Sequence, residues 1–230
     1  MRSKLCITLF LAVGVLFLLQ PAARADQMQL YFTGTTSGGD LVPYLMVLTQ
    51  PGSSTPSQGL NVWLNCDDHY DTIQGGEYWT ATVFAGSANN LLQTSMSKKN
   101  TGWAETDADK AYDTKAYIEL HESAYAGTAA YSNAIWHIFD SAIACGGDVN
   151  TAGTCAWILK AATDAATADG GNYLTYRSSL TIYTGDYSNI HGGTGTAPQE
   201  FDGVPDGGMT LMLLGGALVG VATLRRKFRA

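Results

Sequence analysis

The stretch TAAYSNAIWHIFDSAI, residues 128–143, decides the fold class. Its apolar residues recur three, four, seven and eight positions after the first one, a spacing that places them on one face of a helix. These residues are Tyr131, Ala134, Ile135, Ile138 and Phe139. The stretch therefore predicts an amphipathic helix that packs against a core in the middle of the chain.

Two more helical patterns flank this stretch. The segment ETDADKAYDTKAYIELHESAYAG, residues 105–127, has apolar residues near helical spacing, and Thr106 or Asp107 is expected to cap its start. The segment CAWILKAATDAATADG, residues 155–170, predicts a helix that ends at the glycine pair 170–171. Together the three patterns predict a helical insert.

Strand patterns lie on either side of the insert. Short runs rich in aromatic and β-branched residues alternate with turn residues before it, and one more run follows it. These runs are MQLYFTG (28–34), YLMVLTQ (44–50), GLNVWLNC (59–66), EYWTATVFAG (77–86) and YLTYRSSLTIYTG (173–185). The predicted fold class is α+β, with an antiparallel sheet or barrel-like N-terminal part and a helical insert.

The N-terminal segment predicts export. Arg2 and Lys4 precede an uncharged apolar run, and Ala23 and Ala25 form a small-x-small cleavage site. A secretory signal peptide has these parts in this order, so residues 1–25 are predicted to be one. The alternative is an uncleaved N-terminal helix. The exported domain is expected over residues 26–185, followed by a Gly-, Thr- and Pro-rich flexible linker over residues 186–203.

The composition of the body excludes one class of partner. Residues 26–203 hold six basic and nineteen acidic residues, a net charge of −13. Nucleic-acid binding requires clustered Lys and Arg, so no nucleic-acid partner is expected. Such a charge suits a soluble exported domain, or one that binds cations or neutral ligands.

Cysteine spacing agrees with an oxidising compartment. Cys145 and Cys155 flank a Gly-rich polar stretch, which predicts a local disulfide worth about 2–3 kcal/mol. Cys66 is then left without a partner cysteine in the exported body.

No motif identifies a catalytic or metal site. The sequence HESAY at His121 lacks the second histidine of a zinc-protease helix, and residues 107–113 lack the closing ligands of a calcium loop. The cluster NCDDHYD, residues 65–71, holds potential cation ligands, but acidic turns after a strand are ordinary. Cys66 paired with a histidine would be a nucleophile only if the fold brought them together. The sequence therefore predicts no enzyme, no metal and no cofactor.

Residues 60 to 140 resemble the thioester domains of bacterial surface adhesins. Cys66 matches the thiol, and Ala134, Ile135 and Trp136 match the end of a T-Q-x-A-I-W helix motif. In that family the glutamine carboxamide condenses with the cysteine, but here Ser132 stands at its position and Tyr131 at that of the threonine. The resemblance therefore implies a shared scaffold without a thioester between these two positions, and an intact mass without loss of ammonia.

The C-terminal segment resembles a PEP-CTERM sorting signal, in a form close to V-P-D-S-G. The resemblance starts with the motif Val204, Pro205, Asp206, Gly207 and Gly208 and ends with the basic cluster Arg225, Arg226, Lys227 and Arg229. Residues 209–224 between them would form a transmembrane helix about 24 Å long, short of a hydrocarbon core of ~30 Å. By the positive-inside rule the basic cluster would stay cytoplasmic. A buried core helix is the alternative for this segment.

The resemblance implies delivery and a partner. Proteins with such a tail are substrates of exosortase, a transpeptidase-like membrane protease, and commonly accompany exopolysaccharide and matrix systems. The chain is therefore expected to cross the inner membrane, to be anchored transiently through its C-terminal helix, and to reach the cell surface or the medium.

The functional prediction is a structural or adhesive surface or matrix protein without catalytic activity. One alternative is a carbohydrate-binding module that uses the aromatic side chains of Trp63, Tyr78 and Trp79. The other is a surface crosslinker that depends on Cys66.

Overall fold

A computed structural model describes residues 27–35, 42–69, 73–168, 170–185, 190–192 and 199–204. Its strands are β1 (Gln27–Thr35), β2 (Tyr44–Thr49), β3 (Leu60–Cys66), β4 (Tyr78–Ala85), β5 (Thr181–Gly185) and β6 (Phe201–Gly203). Its helices are α1 (Ser95–Lys99), α2 (Glu105–His121), α3 (Ala129–Phe139) and α4 (Cys155–Ala168). Short 3-10 turns cover Leu91–Gln93, Ser123–Tyr125 and Arg177–Ser179.

The strands form a closed antiparallel barrel. The order around it is β1-β2-β3-β6-β5-β4, and β4 pairs with β1 to close it. All helices of the described residues lie between β4 and β5 in the chain, so the predicted helical insert and the barrel-like sheet are both present. Closure gives every strand of the barrel a neighbour on both sides, although β6 pairs with β3 only at Asn65 and Cys66.

Helices α2, α3 and α4 form where the apolar spacing predicts them, whereas the short helix α1 was not predicted. In α3, Tyr131, Ile135 and Phe139 are buried, as the pattern requires. In α2 the predicted cap is wrong: Ala104 is the N-cap residue, and Asp107 lies in the first turn, where its carboxylate accepts the Ala104 N–H at 2.8 Å. An acidic side chain in this position favours the helix N-terminus by its charge as well.

Two apolar clusters hold the layers together. The first fills the barrel and extends onto α3 and α4, with Leu30, Met46, Trp79, Ile135 and Ile158 each completely buried. The second cluster lies where α2 meets β4 and β5, and it includes Phe84, Tyr112, Phe139 and Ile182. Both clusters include residues of α3, so this helix contributes to the barrel core and to the packing of the insert.

The C-terminal end of the predicted linker needs a correction. Phe201–Gly203 forms β6, which pairs with β3 on one side and β5 on the other. Gln199, Glu200 and Asp202 are buried as well, so these residues belong to the barrel rather than to the flexible linker predicted over 186–203. Three residues are too short for a periodic signal, so the Gly- and Pro-rich composition misled the prediction. Residues 186–189 and 193–198 lie outside the described residues.

The predicted disulfide is present. Cys145 and Cys155 are bonded, with Cα atoms 5.1 Å apart, and the bond joins the loop after α3 to the first residue of α4. Among the residues described, no helix is both long and apolar enough to cross a bilayer. The predicted signal peptide, residues 1–25 with Ala23 and Ala25, and the predicted transmembrane helix, residues 209–224, lie outside the described residues.

Candidate functional site

Cys66 lies at the point where the barrel meets the helical insert. It is the last residue of β3, and it pairs with Phe201 of β6. Its side chain is completely buried, and it is the free cysteine of the described part of the chain. Its backbone position is therefore fixed by the pairing of β3 with β6.

The thiol of Cys66 contacts a carboxamide. Its Sγ lies 3.0 Å from Oε1 of Gln199 and 3.1 Å from the carbonyl oxygen of Asp68, and either oxygen can accept the S–H. The Asp68 N–H in turn donates to Sγ at 3.4 Å. Gln199 is 4% exposed and its Nε2 donates to the Asp68 carbonyl at 3.4 Å, so its carboxamide is held beside the thiol.

Helix α3 reaches the same point through Trp136. Its Nε1 donates to the carbonyl oxygen of Cys66 at 2.9 Å, and its side chain is 4% exposed. The A-I-W segment thus packs directly against the cysteine strand. In the sequence, only the resemblance to thioester domains connects these two elements.

Ser132 has a structural role on α3. Its hydroxyl accepts the N–H of Val42 at 3.2 Å and donates to the carbonyl of Thr128 at 3.1 Å. Ser132 stands at the position of the thioester glutamine, and its side chain has no carboxamide. The carboxamide that contacts Cys66 comes from Gln199, 133 residues further along the chain. Sequence analysis missed Gln199 because it falls within the predicted linker and no local pattern marks it.

Burial controls the reactivity of Cys66. Removal from water raises the pKa of its thiol strongly, while the Asp68 backbone, Lys115 and Lys99 oppose this more weakly. A buried thiol is therefore held protonated and inert towards solvent oxidants. A thiol and a carboxamide in contact are nevertheless the two groups that form a thioester when ammonia is lost.

A cavity opens beside this site. It has a volume of ≈ 260 Å³ and is lined by residues of the β3–β4 loop, α1, α3 and the turn after α3. On one wall the ring of His69 lies 4.7 Å from that of Trp136, and on another Lys99 forms an ion pair with Asp68. A small polar molecule would fit next to the residues that follow Cys66.

The acidic cluster at residues 65–71 is not assembled around one point. Asp67 forms an ion pair with Lys115, Asp68 with Lys99, and Cys66 contacts Gln199. Asp71 lies outside the described residues. In the described ranges no three His, Cys, Asp or Glu side chains form a group suited to a metal ion.

The aromatic residues predicted for carbohydrate binding do not all lie on the surface. Trp79 is completely buried in the barrel core, whereas Trp63 is 51% exposed on β3. Tyr78 stacks on His191 with ring centroids 5.0 Å apart. Tyr78 and Trp79 are adjacent in β4 and so point to opposite faces of the sheet.

The first residue of the sorting motif lies at the end of the barrel. Val204 follows β6 directly and packs against the second apolar cluster. The other motif residues, Pro205 to Gly208, and the basic cluster Arg225, Arg226, Lys227 and Arg229 lie outside the described residues. At most one residue therefore separates the barrel from Pro205.

Comparison with known proteins identifies the tail. A family model described as the VPDSG-CTERM motif matches residues 203–228. No curated protein matches the chain. Among solved structures, the N-terminal domain of the Streptococcus pyogenes pilus tip adhesin Cpa is similar at 11% identity, covering 80% of this chain and 96% of that chain with a TM-score of 0.36. That likeness is too low to carry an argument about function. Residues 203–228 carry a VPDSG-CTERM sorting motif, which implies export and a surface or extracellular destination.

Proposed function

We propose that this chain is an exported surface or extracellular-matrix protein with a structural or adhesive role and no catalytic activity. The observation that carries the proposal is the VPDSG-CTERM motif over residues 203–228. An exosortase-like protease is its expected partner, and the apolar residues 209–224 would hold the chain in the inner membrane until that enzyme acts. Exopolysaccharide or other matrix material is the expected surrounding of the released domain.

The domain suits this role physically. A closed barrel, with a disulfide that ties the loop after α3 to α4, resists unfolding outside the cell. The net charge of −13 over residues 26–203 keeps copies of the domain apart in solution.

The test follows the C-terminus of the protein in a host that carries an exosortase. We expect the wild-type chain to be recovered from the surface or the medium with its C-terminus near Asp206. A variant with Val204, Pro205 and Asp206 replaced by alanine should stay in the membrane fraction at full length. Lys160→Ala, an exposed change within the body, is the matched control and should be sorted like wild type. Normal release of the triple variant would contradict the proposal.

A second candidate function is a surface crosslinker that acts through a thioester between Cys66 and Gln199. The contact of 3.0 Å between Sγ and Oε1 favours it. The Cys66 sulfur would bond to the Gln199 carbonyl carbon, the C–N bond would break, and ammonia would leave with the thiol proton. An external amine could then attack the carbonyl, form an amide with residue 199 and release the thiol.

Intact-mass spectrometry of the folded chain tests this candidate. A thioester lowers the mass by one ammonia, and treatment with methylamine then adds one methylamine molecule at residue 199. Gln199→Glu has the same shape but no ammonia to lose, so it should not react. Gln93→Glu makes the same chemical change at an exposed residue and should react like wild type. A wild-type chain that binds no methylamine, with Cys66 titrating as a free thiol after denaturation, would exclude the crosslinker without affecting the sorting proposal.

A further inference from the structure

Lys115 is a buried lysine that faces carboxylates from three parts of the fold. It lies on α2 and forms ion pairs with Asp67, which follows β3, and with Asp202 of β6. Glu119, one turn further along α2, lies with its Oε1 3.5 Å from Lys115 Nζ. None of these contacts belongs to the thiol–carboxamide pair of the site described above.

The burial of this cluster is complete. The side chains of Lys115, Asp67 and Asp202 are 0% exposed, and that of Glu119 is 4% exposed. Lysine is among the residues least often fully buried, and one cation cannot neutralise three carboxylates. Burying the two excess negative charges in a medium of low polarity would be very unfavourable, so some of these groups must be neutral.

Ion pairing also leaves oxygen atoms unsatisfied. Within the described part of the chain, Asp67 Oδ2, Asp202 Oδ2 and Glu119 Oε1 are buried without a hydrogen-bond partner. Buried carboxylates normally accept hydrogen bonds on both oxygens, so each of these atoms calls for an explanation. The set is therefore poorly described as a stable network of salt bridges.

Asp202 is the carboxyl group best placed to be protonated. Burial raises its pKa well above the ordinary value, and the nearby Glu119 carboxylate adds to this, while Lys115 opposes it. A protonated carboxyl group beside an amine in a dry interior is an electrophile beside a nucleophile. Holding them in contact removes the entropic cost of bringing them together.

We propose that Lys115 and Asp202 are joined by an intramolecular amide bond. Asp67 takes a proton from the Lys115 ammonium group, and the neutral Nζ attacks Cγ of protonated Asp202. The new bond is Nζ–Cγ, one C–O bond of Asp202 breaks, and the departing hydroxyl leaves as water with a proton relayed through Glu119. The reaction consumes one amine and one carboxylic acid, yields one amide and one water, and requires no other reactant.

The bond would connect the helical insert to the last strand of the barrel. Asp202 lies in β6, directly before the sorting motif, and Lys115 lies in the middle of α2. A covalent link here would prevent β6 from being pulled out of the barrel when force acts on the C-terminus. It would also replace a buried charge pair by a neutral group.

Tryptic peptide mapping of the full-length chain tests the bond directly. Trypsin does not cut after an acylated lysine, so residues 111–160 should stay together and be linked to the peptide that starts at residue 178 and contains Asp202. The linked pair should weigh one water less than the sum of its parts. Peptide 25–98, which contains Asp67, should not be linked to peptide 111–160. The intact mass should be lower by one water, a loss that methylamine does not reverse, unlike the loss of ammonia from a thioester.

Two variants and a control extend the test. Lys115→Met cannot form the amide and should show no loss of water. Glu119→Gln keeps the shape of the site but not the proton relay, and should form the bond roughly 100-fold more slowly, measured by mass over time after purification. Lys160→Met removes an exposed lysine paired with Asp164, and its chain should be crosslinked like wild type.

Each result decides the proposal. Cleavage after Lys115 in the folded wild-type chain, together with an intact mass that includes the water, would overturn it even if the variants failed to fold. A link between peptide 111–160 and peptide 25–98 would overturn the assignment to Asp202. Unchanged kinetics in Glu119→Gln would remove Glu119 from the reaction and refute the relay.

Discussion

Glu200 is a single residue on which three elements converge. Its Oε2 accepts the N–H of Ser95 at 2.7 Å and the hydroxyl of Thr184 at 2.8 Å, and its Oε1 accepts the hydroxyl of Tyr112. These donors come from the start of α1, from β5 and from α2. Hydrogen-bond donors favour the ionised form of a carboxyl group, whereas burial opposes it. The balance of these two effects sets the pKa of Glu200.

Burial has the larger effect on Glu200. It raises the pKa above the ordinary value of 4.5, and the hydrogen bonds from Tyr112, Thr184 and Ser95 only partly offset it. A raised pKa means that the folded state holds the proton more tightly than the unfolded state. The stabilisation is therefore complete below the ordinary pKa and is lost as the pH rises through the folded-state pKa.

We expect the difference in free energy of unfolding between the wild type and the less stable Glu200→Gln variant to become smaller as the pH rises. Glutamine keeps the shape but replaces one oxygen by an N–H₂ group that cannot accept the hydrogen bond made at that position. The variant should therefore be less stable by about 1–3 kcal/mol at acidic pH. From pH 4.5 upward the wild type alone loses stability at this site. Urea unfolding of both proteins across this range measures the difference. A stability difference that grows with pH would show that the hydrogen-bond donors lower the pKa of Glu200 by more than burial raises it.

At the scale of elements, local patterns predicted α2, α3, α4 and most of the barrel, but not the short helix α1. The spacing of Tyr131, Ile135 and Phe139 defined α3, and these three residues are buried against the rest of the fold. The alternating runs before the insert became β1 to β4. These predictions succeeded because each element carries its own periodicity over at least one full repeat.

Local patterns could not predict the elements and residues of the site. Strand β6 has three residues and lies in a segment whose composition favours a loop. Lys115 appears on the apolar face of α2 in the sequence, but its partners Asp67 and Asp202 lie 48 and 87 residues away. Gln199 meets Cys66 only because β6 pairs with β3. Contacts between distant segments depend on how the barrel closes, which local sequence patterns do not reveal.

The disulfide fixes the junction between α3 and α4. It closes a loop with a sequence separation of 10 and ties the first residue of α4 to the loop before it. The double variant Cys145→Ser/Cys155→Ser should lower the free energy of unfolding by about 2–3 kcal/mol, because the unfolded chain gains loop freedom. Equilibrium denaturation measures the loss. Adding a reductant should destabilise the wild type by a similar amount and leave the double variant unchanged; an effect of the reductant on the variant would point to another bond.

For the whole molecule, the position of β6 defines where the domain ends. The strand completes the barrel by joining β3 to β5, and it carries Asp202 inward while Gln199 and Glu200 before it reach Cys66 and α1. The sorting motif begins one residue after β6. A processing enzyme that acts at this motif therefore works next to the folded barrel, without a long spacer on that side.

This arrangement predicts a sharp boundary for truncation. A chain that ends after Val204 keeps β6 and should unfold cooperatively with a stability close to that of the full-length protein. A chain that ends at residue 198 lacks β6, so β3 and β5 each lose their partner on one side. It also loses Glu200, which accepts the Ser95 N–H, and Asp202, one of the carboxyl groups beside buried Lys115. A buried donor that loses its acceptor costs about 1–3 kcal/mol, and this loss adds to the lost pairing of β6, so together they are a large share of the stability of a typical domain. We therefore expect this shorter chain to lose its cooperative thermal transition in circular dichroism and to become sensitive to proteases. A cooperative transition in the shorter chain would show that the barrel closes without β6 and that residues 199–203 behave as the linker that their composition suggests.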